Sequence, residues 1–278
     1  MQSLCTECGI LLAFAPFMAR NNWLEGSTVL LTGSTRGIGR ELAQQCAEAG
    51  ANVVINGTHA RTVDDVAASM RTHHQHVLGV QADVCDPEQA EQLVERTIEE
   101  YGQLDALFNI VGASGVRGGL LDTSPEQLQD IVARNIGSMI HATRYAMPHL
   151  EETKGRVMNM GSISSLVAAP NYGGYNVAKF GVRGATEQLR REHPNVSFTL
   201  ACPGPIQGDK PRTPGGTSIP ALDPEVLATE ILNAVGKRRH TIVRPRKMLA
   251  LNMLMKVWPS LGDKIVESFS HKPESKRK

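Results

Sequence analysis

Between Ser27 and Val243 the chain alternates short apolar runs with longer segments of helical periodicity, and this alternation narrows the fold more than any other feature. Val29–Leu31, Val53–Ile55, Val77–Gln81, Ala106–Phe108, Arg156–Met160, Val196–Ala201 and Thr241–Val243 read as strands. Ile38–Ala49, Thr62–His73, Pro87–Tyr101, Pro125–His149, Tyr172–Arg191 and Pro224–Val235 read as helices. Gly50 stands where a C′ glycine ends a helix, and Pro87 suits a first helical turn. Asp64 and Asp65 are expected in the first turn of the second helix, where the dipole favours acids. Strands alternating with helices predict an α/β fold with a doubly wound parallel sheet, in three α/β/α layers and with right-handed crossovers. Sheets of this kind bind ligands at the carboxyl ends of their strands.

One domain is expected over 25–245, including a loop at 205–223 where Pro203, Gly204, Pro205, Gly208, Pro211, Pro214, Gly215, Gly216 and Pro220 crowd together. A long loop after a strand's carboxyl end suits a substrate lid. The first 24 residues read as a flexible extension. Their apolar run Ile10–Met18 contains Pro16 and is preceded only by the charge of Glu7, which does not fit a secretory leader. The chain could equally start in effect at Met18. No segment reaches the roughly 20 apolar residues that span a bilayer.

The 278 residues carry a formal net charge of +1, which gives no field for nucleic acid or for an anionic membrane surface. The cluster Lys276-Arg277-Lys278 reads as a solvated tail. Five cysteines imply no disulfide framework, and the lone Cys5/Cys8 pair lacks partners at zinc spacing, so a reduced, cytoplasmic protein is expected. His73, His74 and His76 read as solvated residues at a helix end, and no metal site is expected.

The run Thr32-Gly33-Ser34-Thr35-Arg36-Gly37-Ile38-Gly39 lies between the first strand and the first helix. Glycines there let the backbone turn tightly, and the helix N-terminus offers N–H groups to a pyrophosphate. The second strand ends Ile55-Asn56-Gly57-Thr58-His59-Ala60-Arg61, without the acid that would bind the ribose of NAD. Arg36 or Arg61 would suit a 2′-phosphate, so NADP is favoured, with NAD as the alternative. Tyr175 and Lys179, four apart on one helix face, are the candidate chemistry: an ammonium beside a phenol favours the phenolate and brings its pKa toward neutrality.

Together these residues resemble the short-chain dehydrogenase/reductase family over roughly Gly26 to Val243. Its glycine motif is matched by Thr32, Gly33, Gly37, Ile38 and Gly39. Its adenine-contacting acid resembles Asp83, followed by Val84, and its N-N-A-G motif is half matched by Asn109-Ile110-Val111-Gly112. Its helix asparagine resembles Asn135, its serine falls on Ser162, and its Tyr-x-x-x-Lys pair on Tyr175 and Lys179. Its Pro-Gly turn falls on Pro203-Gly204, followed by Ile206. Gly208 stands where the family often has a threonine touching the carboxamide.

The resemblance implies a Rossmann-type fold and an oxidoreductase that moves a hydride between nicotinamide and a ketone or secondary alcohol. Tyr175 would be the general acid or base, and Ser162 a donor to the substrate oxygen. Lys179 would bind the nicotinamide ribose, and Asn135 would hold a relay water. The other contacts expected with the cofactor are Gly33, Thr35, Arg36, Gly37, Ile38, Gly39, Arg61, Asp83, Val84, Asn109, Gly112, Pro203, Gly204 and Ile206. A homo-oligomer is expected by analogy. The second reading is a scaffold or cofactor sensor that keeps the fold without turnover. In the C-terminal part, 246–278, the apolar segment Met248–Trp258 has two readings: a helix packed on the cleft or on a partner subunit, or a peripheral membrane contact through 247–258 that would point to a lipophilic substrate.

Overall fold

Seven runs of apolar residues pair side by side because a parallel sheet covered on both faces hides their backbones and side chains together. In the computed structural model, residues 23–114, 118–208 and 219–270 are described. The strands are β1 (Thr28–Thr32), β2 (Asn52–Gly57), β3 (Val77–Gln81), β4 (Ala106–Asn109), β5 (Arg156–Met160), β6 (Ser197–Pro203) and β7 (Thr241–Arg244). They form one parallel sheet in the order β3–β2–β1–β4–β5–β6–β7. All five residues of β1 are buried, with Val29 opposite Val53 on one side and Ala106 on the other.

The helices are α1 (Gly37–Glu48), α2 (Ala60–Arg71), α3 (Pro87–Tyr101), α4 (Pro125–Val132), α5 (Ser138–Glu152), α6 (Tyr175–Glu192), α7 (Pro224–Gly236), α8 (Lys247–Val257) and α9 (Pro259–Ser270). Successive strand residues point to opposite faces, so the core divides in two. Val29, Leu31, Val53 and Ile55 meet Leu42 and Cys46 of α1, Val63 and Met70 of α2, and Ile231 of α7. Leu30, Val54 and Leu107 meet Leu93 of α3 and Ala142, Ala146 and Leu150 of α5 on the other face. Asp86, Ser124 and Asp223 cap α3, α4 and α7, each followed by a proline at the start of the helix. Gly50 has φ +82° directly after α1's C-cap, the left-handed residue expected there.

Three predicted helices differ in detail. α2 starts at Ala60 because the extended His59 is its N-cap, so Asp64 and Asp65 lie beyond the first turn. Gly173 has φ +50° and Tyr172 bridges to Gly118, which delays α6 to Tyr175. The long helix expected over Pro125–His149 is α4 and α5 joined by a π turn, Ala133–Gly137. The C-terminal segment folds into the hairpin of α8 and α9, the second of which the sequence reading did not separate. The Cys5/Cys8 pair, the apolar run Ile10–Met18 and most of the proposed lid lie outside the described residues. Among the described residues no helix is long and apolar enough to cross a membrane.

Candidate active site

The order of the strands sets where a site can form. β1 is followed by α1 on one face of the sheet, and β4 is followed by the helices of the other face. Between adjacent β1 and β4 the sheet therefore has a switch point, with a crevice at the carboxyl ends of the strands.

The glycine loop starts at Gly33, immediately after β1, and is held from below by a residue that sequence reasoning did not single out. Asn56 is 1% exposed. Its Oδ1 accepts from the Gly33 N–H at 3.3 Å, and its Nδ2 donates to Ala82 O at 3.0 Å and Val80 O at 3.2 Å. Its backbone exchanges bonds with Ser34: Ser34 N–H donates to Asn56 O at 2.9 Å, and Asn56 N–H to Ser34 Oγ at 3.0 Å. The only sequence signal was a polar residue ending an otherwise apolar strand. A Cβ on Gly39 would stand 2.6 Å from Gly33 O and 2.9 Å from Ser34 Cα, so only glycine lets α1 press on the loop. The N-terminus of α1 has no side-chain cap and no acid in its first turn, which leaves N–H groups for an anion.

Thr35 packs against the end of β2, where a Cβ on Gly57 would meet its Cγ2 at 2.8 Å. Ile38 is half-buried against the core. Arg36 is exposed at the N-cap of α1. Arg61 is exposed too, its Nε 4.0 Å from Asp65 on the same helix. Asp83 follows β3; its Oδ1 accepts from Cys85 N–H at 3.0 Å, and Val84 beside it is buried. Ile110 and Val111, which depart from the family's N-N-A-G motif, are partly buried against the core. Val111 comes so close to Gly33 that a Cβ there would meet its Cγ2 at 2.9 Å. Asn109, at the end of β4, is buried and donates to Asn159 Oδ1 at 2.8 Å and Thr143 Oγ1 at 3.0 Å. Gly204 N–H donates to Arg244 O after Pro203, and Ile206 bridges to Leu222.

The four residues expected to carry the chemistry come from four segments. Asn135 sits in the π turn, an irregularity often found at functional sites. It is 2% exposed, and its Nδ2 donates to Ala113 O at 2.9 Å and Ile131 O at 2.8 Å. Its Oδ1 is buried with no hydrogen-bond partner among the described residues. A Cβ on Gly112 would meet that Oδ1 at 2.7 Å and Lys179 Nζ at 3.3 Å, so Gly112, Asn135 and Lys179 form one tight cluster. Lys179 is buried and donates to Met160 O at 2.8 Å. Burial lowers its pKa from 10.5 to about 8.

Ser162 follows β5. Its Oγ accepts from Ser164 N–H at 3.1 Å, which leaves its own proton to donate. Tyr175 opens α6, with Lys179 Nζ 5.8 Å from the ring centroid. Burial raises the Tyr175 pKa, opposed in part by a hydrogen bond with Ser162. Loss of solvent is the larger effect on the phenol, and the Lys179 ammonium donates to the Met160 carbonyl. Cys202, buried beneath the serine turn, was not anticipated; burial holds its thiol at about 12 and therefore protonated.

The glycine turn and the uncapped N-terminus of α1 fit the phosphates of a dinucleotide. The sequence pattern described as short chain dehydrogenase matches residues 27–213. D-beta-hydroxybutyrate dehydrogenase of Rhizobium meliloti is 35% identical over 184 residues, covering 64% of this chain and 70% of that protein. 11-beta-hydroxysteroid dehydrogenase A of Sesamum indicum is 31% identical over 192 residues, covering 66% of this chain but 53% of that protein; the chain thus spans about half of this relative's length. A short chain dehydrogenase/reductase from Burkholderia phymatum, solved in complex with NAD, has the same fold. It superposes with a TM-score of 0.76 at 22% identity, covering 91% of this chain and 99% of that one. The strand order, the glycine loop and the matched sequence pattern lead to one conclusion: this chain belongs to the short chain dehydrogenase family.

Proposed function

We propose that the chain is an NADP-preferring oxidoreductase acting on CH–OH and carbonyl groups, with Tyr175 as general acid and base. The observation that carries this reading is the cluster at the carboxyl ends of β4 and β5: a phenol hydrogen-bonded with Ser162, a buried Lys179 and an Asn135 with a free buried oxygen. Relatives named as hydroxybutyrate and hydroxysteroid dehydrogenases support a ketone and secondary alcohol as the substrate pair.

Nicotinamide, when bound, supplies or accepts the hydride. In reduction Tyr175 gives its proton to the carbonyl oxygen, and in oxidation it takes that proton back. A phenol held above its ordinary pKa by burial keeps its proton at neutral pH, which suits donation. Ser162 donates to the same oxygen and stabilises the charge that grows there. Lys179 and the free Oδ1 of Asn135 provide the route by which Tyr175 recovers a proton, through a water between them.

The backbone of Gly33, Gly37 and Gly39 would hold the pyrophosphate, and Asp83 and Val84 the adenine end. Asn109 and Gly112 would flank the nicotinamide ribose with Lys179, while Pro203, Gly204 and Ile206 would border the carboxamide. The absence of an acid from Asn56 to Arg61, with Arg36 exposed beside the loop, supports NADP over NAD. The thiols of Cys46, Cys85 and Cys202 are free, which supports a reducing cytoplasmic compartment. Family likeness supports a homo-oligomer.

A panel of ketones and secondary alcohols with NADPH, NADH and their oxidised forms tests the assignment by absorbance. Replacing Tyr175 by Phe should lower turnover about 100- to 10,000-fold. Turnover unchanged in that variant refutes Tyr175 as the acid. A preference for NADH refutes the use of Arg36 and Arg61.

A further inference from the structure

A helix that is apolar on every side has its outer face covered by something. α8 is such a helix: among Lys247–Val257 only Lys247, Asn252 and Lys256 are polar. Met248 and Leu251 face the core, against Val243, Ile219 and Val266. Leu249, Met253 and Val257, spaced four apart on the opposite side, face outward with 44%, 58% and 81% exposure. The stripe continues onto the α8–α9 turn, where Trp258 is 60% exposed and Leu261 also faces solvent.

Cations outnumber acids around this stripe, where the exposed acids are Asp263 and Glu267 of α9. Arg246, Lys247, Lys256 and Lys264 are all exposed, and α8 itself holds no acid. From Arg246 to Lys278 the sequence has eight Lys or Arg and three Asp or Glu, a surplus of five positive charges in a chain whose total is +1. The near-neutral overall charge therefore conceals a basic C-terminal part balanced by acids elsewhere.

We propose that the outward face of α8 and the α8–α9 turn dock on the surface of an anionic lipid bilayer. An eleven-residue helix is about 16 Å long, half of a ~30 Å hydrocarbon core, so it lies in the membrane plane. Leu249, Met253 and Val257 enter the acyl boundary, Trp258 sits at headgroup depth, and Arg246, Lys256 and Lys264 meet lipid phosphates. An apolar cavity of about 430 Å³ lies under the same helix, lined by Ile219, Met248, Leu251, Leu254 and Ile265. Lys247 and Ala250, at its edge, are exposed beside the stripe, so the cavity borders the proposed contact.

The test is sedimentation of the full chain with vesicles of phosphatidylcholine alone and with added phosphatidylserine. Binding at least tenfold stronger to the anionic vesicles, weakened by salt, is expected. Met253→Glu with Trp258→Glu should reduce binding at least tenfold while the circular dichroism and melting temperature stay unchanged, since both side chains are exposed. Lys256→Glu with Lys264→Glu gives an independent loss should the first variant fold poorly. No binding to either vesicle overturns the proposal, as does binding indifferent to both pairs of substitutions. A dimer in light scattering that Met253→Glu dissociates, without vesicle binding by the parent chain, assigns the stripe to a second copy and also overturns it.

Discussion

Replacing Lys179 by Met should make the protein more stable at neutral pH. The Lys179 ammonium is buried with one carbonyl partner, and its pKa falls from 10.5 to about 8. That fall corresponds to about 3 kcal/mol of destabilisation at neutral pH, at 1.4 kcal/mol per pH unit. Lys179→Met keeps the length of the side chain and removes the charge, but leaves the Met160 carbonyl short of a partner, at about 1 kcal/mol. The net expectation is a variant more stable by about 2 kcal/mol at pH 7, or roughly 4 °C in melting temperature for a chain of this size. The sign follows from proton counting. Between about pH 8 and 10.5 folded Lys179 is neutral while the unfolded lysine is still charged, so the folded state binds fewer protons and the parent protein gains stability as pH rises through that window. The advantage of the variant should therefore be full below pH 8 and largely gone by pH 10.5. Urea melts of both proteins at pH 7 and pH 10, with turnover measured alongside, check it. A variant less stable than the parent at pH 7, or a gap that does not narrow with pH, refutes the reasoning.

Three further outcomes are expected. In the reductive direction kcat/KM should fall as pH rises through about 8, where Lys179 loses its charge, and a profile flat from pH 7 to 10 contradicts a protonated Lys179 as the working form. Gly112→Ala should push Asn135 and Lys179 apart, lowering turnover about 100-fold with a loss of about 1–3 kcal/mol in stability, read from kinetics and urea melts. Asn56→Ala should cost about 2–3 kcal/mol and weaken coenzyme binding, measured by titration calorimetry, because Gly33, Val80 and Ala82 lose their shared partner.

The strands were legible because each is a short apolar run bounded by turn residues, and their ends shift by two residues or fewer between sequence and structure. The residues proposed as catalytic were legible through spacing: Ser162, Tyr175 and Lys179 keep fixed intervals along one chain segment. What escaped depends on neighbours distant in sequence. Asn56 acquires its role from Gly33, Ser34, Val80 and Ala82, and no local pattern names those partners. The π turn at Ala133–Gly137 follows a helical sequence with no Gly–Pro break ahead of Asn135, so no local signal announces it. The pKa of Tyr175 was judged from one helical neighbour, whereas burial, which acts in the opposite direction, depends on the whole fold.

The knot at Asn56 also restricts how coenzyme choice can be retuned. An aspartate there would lose both side-chain N–H donors and set a carboxylate against the carbonyls of Val80 and Ala82. The next position is closed as well, since any side chain at Gly57 would strike Thr35. Thr58, exposed one residue further on, is the first place along this strand end where an acid fits without dismantling the loop. A chain carrying this knot can gain an acid at this strand end only from Thr58 outward, or must rebuild the sheet edge first.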